Sequence, residues 1–252
     1  MRILLTNDDG YFAKGIQTMY QVLKEEEEYE LYIVAPDTQR SATGHSITLF
    51  EPLFLTEHPL EKGTGYAISG KPADCVKIAI QGDIIPKPDL VISGINNGPN
   101  LGTDVFYSGT VSAAMEGVLL GIPALAISLA GFSANDYRPA ARFLAKFLSE
   151  QREKILQQGG LININIPAIP EEDWKGVKIT KLGKAVYENV FELRKAPFGR
   201  EYYWQAGNVA PETDQETDLF AVQEGYVSIT PMHSDLTDYA KLKEFQSIFK
   251  DL

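Results

Sequence analysis

Arg2-Ile3-Leu4-Leu5-Thr6-Asn7-Asp8-Asp9-Gly10 decides the architecture. Ile3 to Thr6 is a short apolar run that reads as a buried strand, and Asn-Asp-Asp-Gly ends it in a turn. Ile16, Met19, Tyr20 and Leu23 then recur at helical spacing. Strand, turn and helix come again along the chain: strands at Leu31–Ala35, Leu90–Ser93, Ala124–Ser128, Leu161–Ile166 and Val177–Leu182. Helices are expected from Val111, Met115, Val118 and Leu119, and over Pro139–Leu148. Buried strands alternating with amphipathic helices predict an α/β fold with a doubly wound, mostly parallel sheet. Ile47–Ile68 reads as an extended, turn-rich insertion outside that repeat.

From Val186 to about Val222 the pattern changes. Tyr187, Phe191, Phe198, Tyr202, Tyr203 and Trp204 stand among charges, with Gly199 and Gly207 as turn signals. This predicts a hairpin arm, and an arm this aromatic needs a second subunit to cover it unless it folds back on its own domain. A late strand at Tyr226–Thr230 and a helix at Tyr239–Phe249 follow. The expected division is a core over 1–183 and an arm, late strand and terminal helix over 184–252, which is not an independent domain.

With 44% apolar and 23% charged residues, the 252-residue chain has the composition of a globular protein. A formal net charge of -11 speaks against a nucleic acid polymer or an anionic membrane as partner. An anionic substrate would therefore be drawn by local features such as a cation or a helix N-terminus. Cys75 is the only cysteine, which excludes a disulfide within the chain and a thiolate zinc site; it reads as a small buried hydrophobe in a helix. No secretory leader or membrane span is legible, so a soluble, cytoplasmic protein is expected.

Ligands of open parallel sheets bind beyond the carboxyl ends of the strands. There the sequence places Asn7-Asp8-Asp9-Gly10, Arg40-Ser41, Gly94-Ile95-Asn96-Asn97-Gly98 and Ser108-Gly109-Thr110. Asp8 and Asp9 at a buried strand end repel one another, and a cation relieves the conflict. The nearby oxygens are a hard set suited to Mg²⁺, Mn²⁺ or Ca²⁺. Each string also has a plainer use: a turn with an Asp cap, a glycine-rich loop, a helix cap. As the start of a helix, Ser108-Gly109-Thr110 suits a phosphate. His45, His58 and His233 are scattered, and Arg40 meets either phosphate or solvent.

Longer strings carry a resemblance. Asn7-Asp8-Asp9-Gly10, Ala35-Pro36-Asp37 with Arg40-Ser41, Pro72-Ala73-Asp74-Cys75-Val76, Ser93 to Gly102, Tyr107 to Gly117 and Gly225 to Pro231 together resemble the SurE family, the stationary-phase survival 5'-nucleotidases. The resemblance implies a Rossmann-like three-layer αβα domain and an oligomer, dimer or tetramer, built by exchanged C-terminal elements. It implies a phosphatase for nucleoside 5'- and 3'-monophosphates that depends on a divalent cation, Mg²⁺ or Mn²⁺, one per subunit. Members are also associated with phosphate release from short polyphosphate. Carried over by position, the metal ligands fall on Asp8, Asp9, Ser41 and Asn96, and the phosphate contacts on Ser108, Gly109 and Thr110. Asp8 or Asp9 would accept the proton in catalysis. Lys71 departs from the family, which more often has Thr or Ser there. Two other readings stay open. An aspartyl-phosphate enzyme needs carboxylates two apart, whereas these are adjacent, and a nucleotide-sensing module would bind without hydrolysis.

Overall fold

Successive side chains of a strand point to opposite faces of its sheet, so a strand covered on both sides must be apolar throughout. That is the case over Ile3–Leu5 of β1 (Arg2–Thr6). Ile3 and Leu5 enter one core with Ile16, Met19 and Leu23 of helix α1 (Lys14–Leu23), while Leu4 enters the other with Cys75 and Val76 of α2 (Pro72–Gln81). The computed structural model describes residues 1–131, 136–188, 190–205 and 207–250.

In the main sheet β1 is central, pairing in parallel with β2 (Glu30–Pro36) on one side and β5 (Leu90–Asn97) on the other. Outward from β2 come β4 (Thr64–Ile68) and then the antiparallel β3 (Leu55–Pro59). Beyond β5 come β6 (Ala124–Ala130) and β7 (Leu161–Pro167), both parallel. β13 (Val227–Met232) then adds antiparallel to β7, and β8 (Val177–Ile179) closes this nine-stranded sheet. Helices α1 and α4 (Arg138–Gln158) cover one face, and α2 and α3 (Gly109–Leu119) the other. The result is the expected three-layer αβα arrangement.

Three expectations are corrected. Ile47–Ile68 is not wholly an insertion, because Thr64–Ile68 pairs in parallel with β2, from Tyr32↔Thr64 to Pro36↔Ile68. The strand expected over Leu90–Ser93 runs on to Asn97, with a register shift against β6 between Ser93 and Asn96. The strand expected over Val177–Leu182 ends at Ile179, leaving Lys181 only an isolated bridge to Thr217.

A short helix, α5 (Asp218–Gln223), packs on β13 and β7. The arm is built from β9 (Tyr187–Glu188) paired with β12 (Asn208–Val209), and β10 (Phe191–Lys195) paired with β11 (Glu201–Gln205). These pairs stand apart from the main sheet, and Phe191, Tyr203 and Trp204 are exposed. The terminal helix α6 (Tyr239–Ile248) buries none of its residues, although Leu242, Phe245 and Ile248 recur on it.

Candidate functional site

The site begins with the turn after β1. Asn7 is buried and closes that turn from both sides: its Nδ2 donates to the Gly10 carbonyl at 2.9 Å, and its Oδ1 accepts the Gly10 N–H at 3.2 Å. Gly10 has φ +105, a conformation glycine reaches without steric cost. The loop after β2 is stitched to this turn by the Arg40 N–H on the Asp8 carbonyl at 2.7 Å and the Tyr11 N–H on the Pro36 carbonyl at 2.7 Å. Residues far apart in sequence are thereby fixed side by side.

Asp8 is only 4% exposed and abuts the start of α3. The Thr110 hydroxyl donates to Asp8 Oδ1. Gly109 lies so close that a Cβ there would come within 2.7 Å of the Asp8 Cβ and 2.8 Å of its Oδ2. Burial pushes the Asp8 carboxyl up to about 6; the Thr110 hydrogen bond opposes the rise and the charge of Asp9 adds to it. Asp9, half-buried, is also raised, chiefly by burial, against the hydrogen bonds it accepts. Its Oδ2 takes the Asn97 N–H at 3.2 Å and its Oδ1 faces Gln39 Nε2 at 3.4 Å.

Ser41 and Asn96 are the other two residues expected to offer oxygens. Gln39 Nε2 donates to Ser41 Oγ at 2.9 Å as well as facing Asp9, so one exposed amide links the two. Asn96 commits its Nδ2 to the Gly98 carbonyl at 2.9 Å, which leaves the side-chain carbonyl oxygen as the donor it can offer a cation. The available donors are carboxylate, hydroxyl and amide oxygens, which fit a hard divalent cation. Among the described residues no group of three or more His, Cys, Asp or Glu side chains that could hold a metal ion occurs, so a cation here would rest on two carboxylates and neutral oxygens.

At the helix start, Ser108 is the N-cap: its Oγ accepts the Val111 N–H at 3.0 Å, so its hydroxyl proton is available to an anion. Thr110 differs from expectation, because its hydroxyl is bound to Asp8; what remains for a phosphate at this residue is backbone. Arg40 turns away, its guanidinium meeting Asp37 at 3.2 Å and the Ser69 carbonyl at 3.1 Å. Lys71 heads α2, its N–H on Asp74 at 2.9 Å and its ammonium on the Ile47 carbonyl at 3.2 Å. Cys75 is buried in α2, where burial raises its thiol pKa well above the usual range. Asn7 and Asn97 stood in the strings singled out from the sequence but without a role of their own, and Gln39 escaped that reading: it lies two residues before Ser41 but carries no local signal of its reach to Asp9.

Fold and site together define a doubly wound α/β protein with paired carboxylates at the carboxyl edge of its sheet, facing a helix N-terminus. The family model described as Survival protein SurE matches residues 3–189. "5'-nucleotidase SurE" of Desulfitobacterium hafniense (strain DSM 10664 / DCB-2) is 76% identical over 246 residues, covering 98% of this chain and 96% of that one. "5'-nucleotidase SurE" of Carboxydothermus hydrogenoformans is 50% identical over 257 residues, covering 100% and 97%. The crystal structure of the SurE protein from Aquifex aeolicus superposes with a TM-score of 0.82 at 39% identity, covering 98% of this chain and 99% of that chain. The chain belongs to the SurE family.

Proposed function

We propose that this chain is a 5'-nucleotidase, a phosphoric monoester hydrolase that cleaves nucleoside 5'-monophosphates, and 3'-monophosphates as well, to nucleoside and phosphate. Its activity depends on one Mg²⁺ or Mn²⁺ per subunit, held by Asp8, Asp9, Ser41 and Asn96. The observation that carries this reading is the pair Asp8 and Asp9 at the end of β1, with Asp8 pressed against Gly109 at the start of α3. Two partly desolvated carboxylates are costly side by side, and the oxygens around them are those a hard cation takes. The name shared by relatives at 76% and 50% identity supports the substrate class.

When bound, the cation supplies charge neutralisation for the phosphoryl oxygens and acidity toward water. Ser108 donates its hydroxyl, and the first backbone N–H groups of α3 add the positive end of the helix dipole, so the non-bridging oxygens are oriented for in-line attack. Asp9, less buried than Asp8 and not held by Thr110, is the better placed carboxylate to accept the proton of the attacking water.

Residues 1–183 form most of the catalytic core, whose sheet and cover are completed by β13 and α5 from 184–252, while the arm and α6 of that segment are the oligomerisation elements of a homodimer or homotetramer in the cytoplasm. The exposed apolar side chains of the arm and of α6 support this assembly. No described helix is long and apolar enough to cross a membrane. A malachite-green assay for phosphate release from 5'-AMP and 3'-AMP with Mg²⁺ or Mn²⁺ tests the activity. Turnover that excess EDTA abolishes supports it; AMP binding without phosphate release under both metals would make the chain a nucleotide sensor instead.

A further inference from the structure

Residues 37–54, which join β2 to β3, carry Ser41 and contain no helix or strand. A connection this long holds one shape only if its neighbours fix it. Two ties run through backbone atoms: the Arg40 N–H on the Asp8 carbonyl at 2.7 Å and the Gly44 N–H on the Tyr107 carbonyl at 3.0 Å. Farther on, Thr48 donates its N–H and its hydroxyl to Asp74 of α2, at 3.0 and 2.6 Å. Between them His45 Nε2 meets Glu116 Oε2 at 2.8 Å, across 71 residues of sequence.

Glu116 is an unusual anchor. It lies on α3 with its side chain only 7% exposed, and its second oxygen, Oε1, faces the Lys77 ammonium of α2 at 3.4 Å. The carboxylate thus joins the loop, α2 and the helix whose first turn touches Asp8. Its pKa is lowered, first by the His45 hydrogen bond and then by the charge of Lys77. A buried carboxylate that served only to bind α2 to α3 would need no partner on the loop.

We infer that Glu116 is a positioning residue: through His45 it clamps the Ser41 loop to α3 and so holds Ser41 at the same distance from Asp8 and Asp9 that the backbone ties set. The inference rests on the reading of Ser41 as a cation ligand. It assigns Glu116, His45 and Lys77 to the order of the site.

The test is made on the full chain with Mn²⁺ alone as probe, free ion being counted by electron paramagnetic resonance, for wild type, Asp8→Asn, His45→Ala, Glu116→Gln and the double variant. His45 is the more exposed partner, so His45→Ala keeps the test open if Glu116→Gln fails to fold. Expected are a drop in Mn²⁺ affinity of about tenfold in His45→Ala and in Glu116→Gln, the low end of what groups outside a coordination shell are worth, and no further drop in the double of these two. In metal-free protein, hydrogen exchange over residues 40–48 should quicken while that of β1 and β5 stays slow. Wild-type Mn²⁺ affinity and unchanged exchange in His45→Ala overturn the clamp alone, since Asp8→Asn still abolishes binding. If Asp8→Asn retains Mn²⁺, the metal reading fails and the clamp falls with it.

Discussion

Asp8→Asn should stabilise the metal-free protein while it removes activity. The carboxyl is held near 6 in the folded chain against 3.8 as its ordinary value. A difference of about two units corresponds to about 3 kcal/mol. The sign follows from proton uptake: between those two values the folded protein binds the proton and the unfolded chain does not. Stability from this group is therefore greatest below 3.8, declines as pH rises through the window, and stays low above about 6. Asparagine keeps an oxygen for the Thr110 hydroxyl and carries no charge to desolvate, but its amide needs a partner of its own. A gain of about 1–3 kcal/mol is expected for the variant at pH 7.5 in EDTA, or about 2–10 °C in Tm for a chain of this size. Thermal melts of both proteins in EDTA from pH 4 to 8 should converge at the acid end and diverge toward neutrality. Added Mn²⁺ should then raise the wild-type Tm and leave the variant unmoved. A variant that melts below wild type in EDTA at pH 7.5, or melting curves that stay parallel across the pH range, would refute the electrostatic argument.

Gly109→Ala would drive a methyl to within 2.7 Å of the Asp8 Cβ, which neither a turn nor a helix can easily yield. It should cost about 1–3 kcal/mol in urea denaturation and about 100-fold in kcat/KM, and a variant with near wild-type turnover would show that α3 does not need this approach. Asp218 is fully buried and accepts the N–H groups of Gly102 at 2.8 Å, Gly183 at 2.9 Å and Leu219 at 2.9 Å. Asp218→Ala should lower the urea midpoint by the equivalent of about 3 kcal/mol or more, because several donors lose their acceptor at once; a loss below about 1 kcal/mol would mean they find other partners. Trp204→Asp on the exposed arm should reduce the mass seen by light scattering, with the circular dichroism spectrum preserved. An unchanged mass would move the subunit contact away from the arm.

The sheet was legible where burial on both faces demanded apolar residues, as in Ile3–Leu5 and Leu31–Ala35, which are buried. β4 was not, because Thr64-Gly65-Tyr66-Ala67-Ile68 has a small residue at Gly65, where a Cβ would strike the Tyr11 ring at 2.1 Å from its hydroxyl. The expected end of α4 at Leu148 fell short of Gln158, since the added turns are largely exposed and carry almost no apolar period. At the site, Asp8 and Asp9 announced themselves because two adjacent acids at the end of an apolar strand are a local conflict. The commitment of Thr110 to Asp8 and the link from Glu116 to His45 leave no such trace, being contacts across 102 and 71 residues. Tertiary structure decides which of several capable side chains face one another, and short-range pattern does not.

The most direct test of the account is anomalous diffraction from crystals grown with Mn²⁺. A single peak per subunit should lie between the carboxylates of Asp8 and Asp9, within coordinating distance of Ser41 Oγ and the Asn96 side-chain oxygen, and vanish in Asp8→Asn. A peak elsewhere, or full phosphatase activity with no peak at this position, would contradict it.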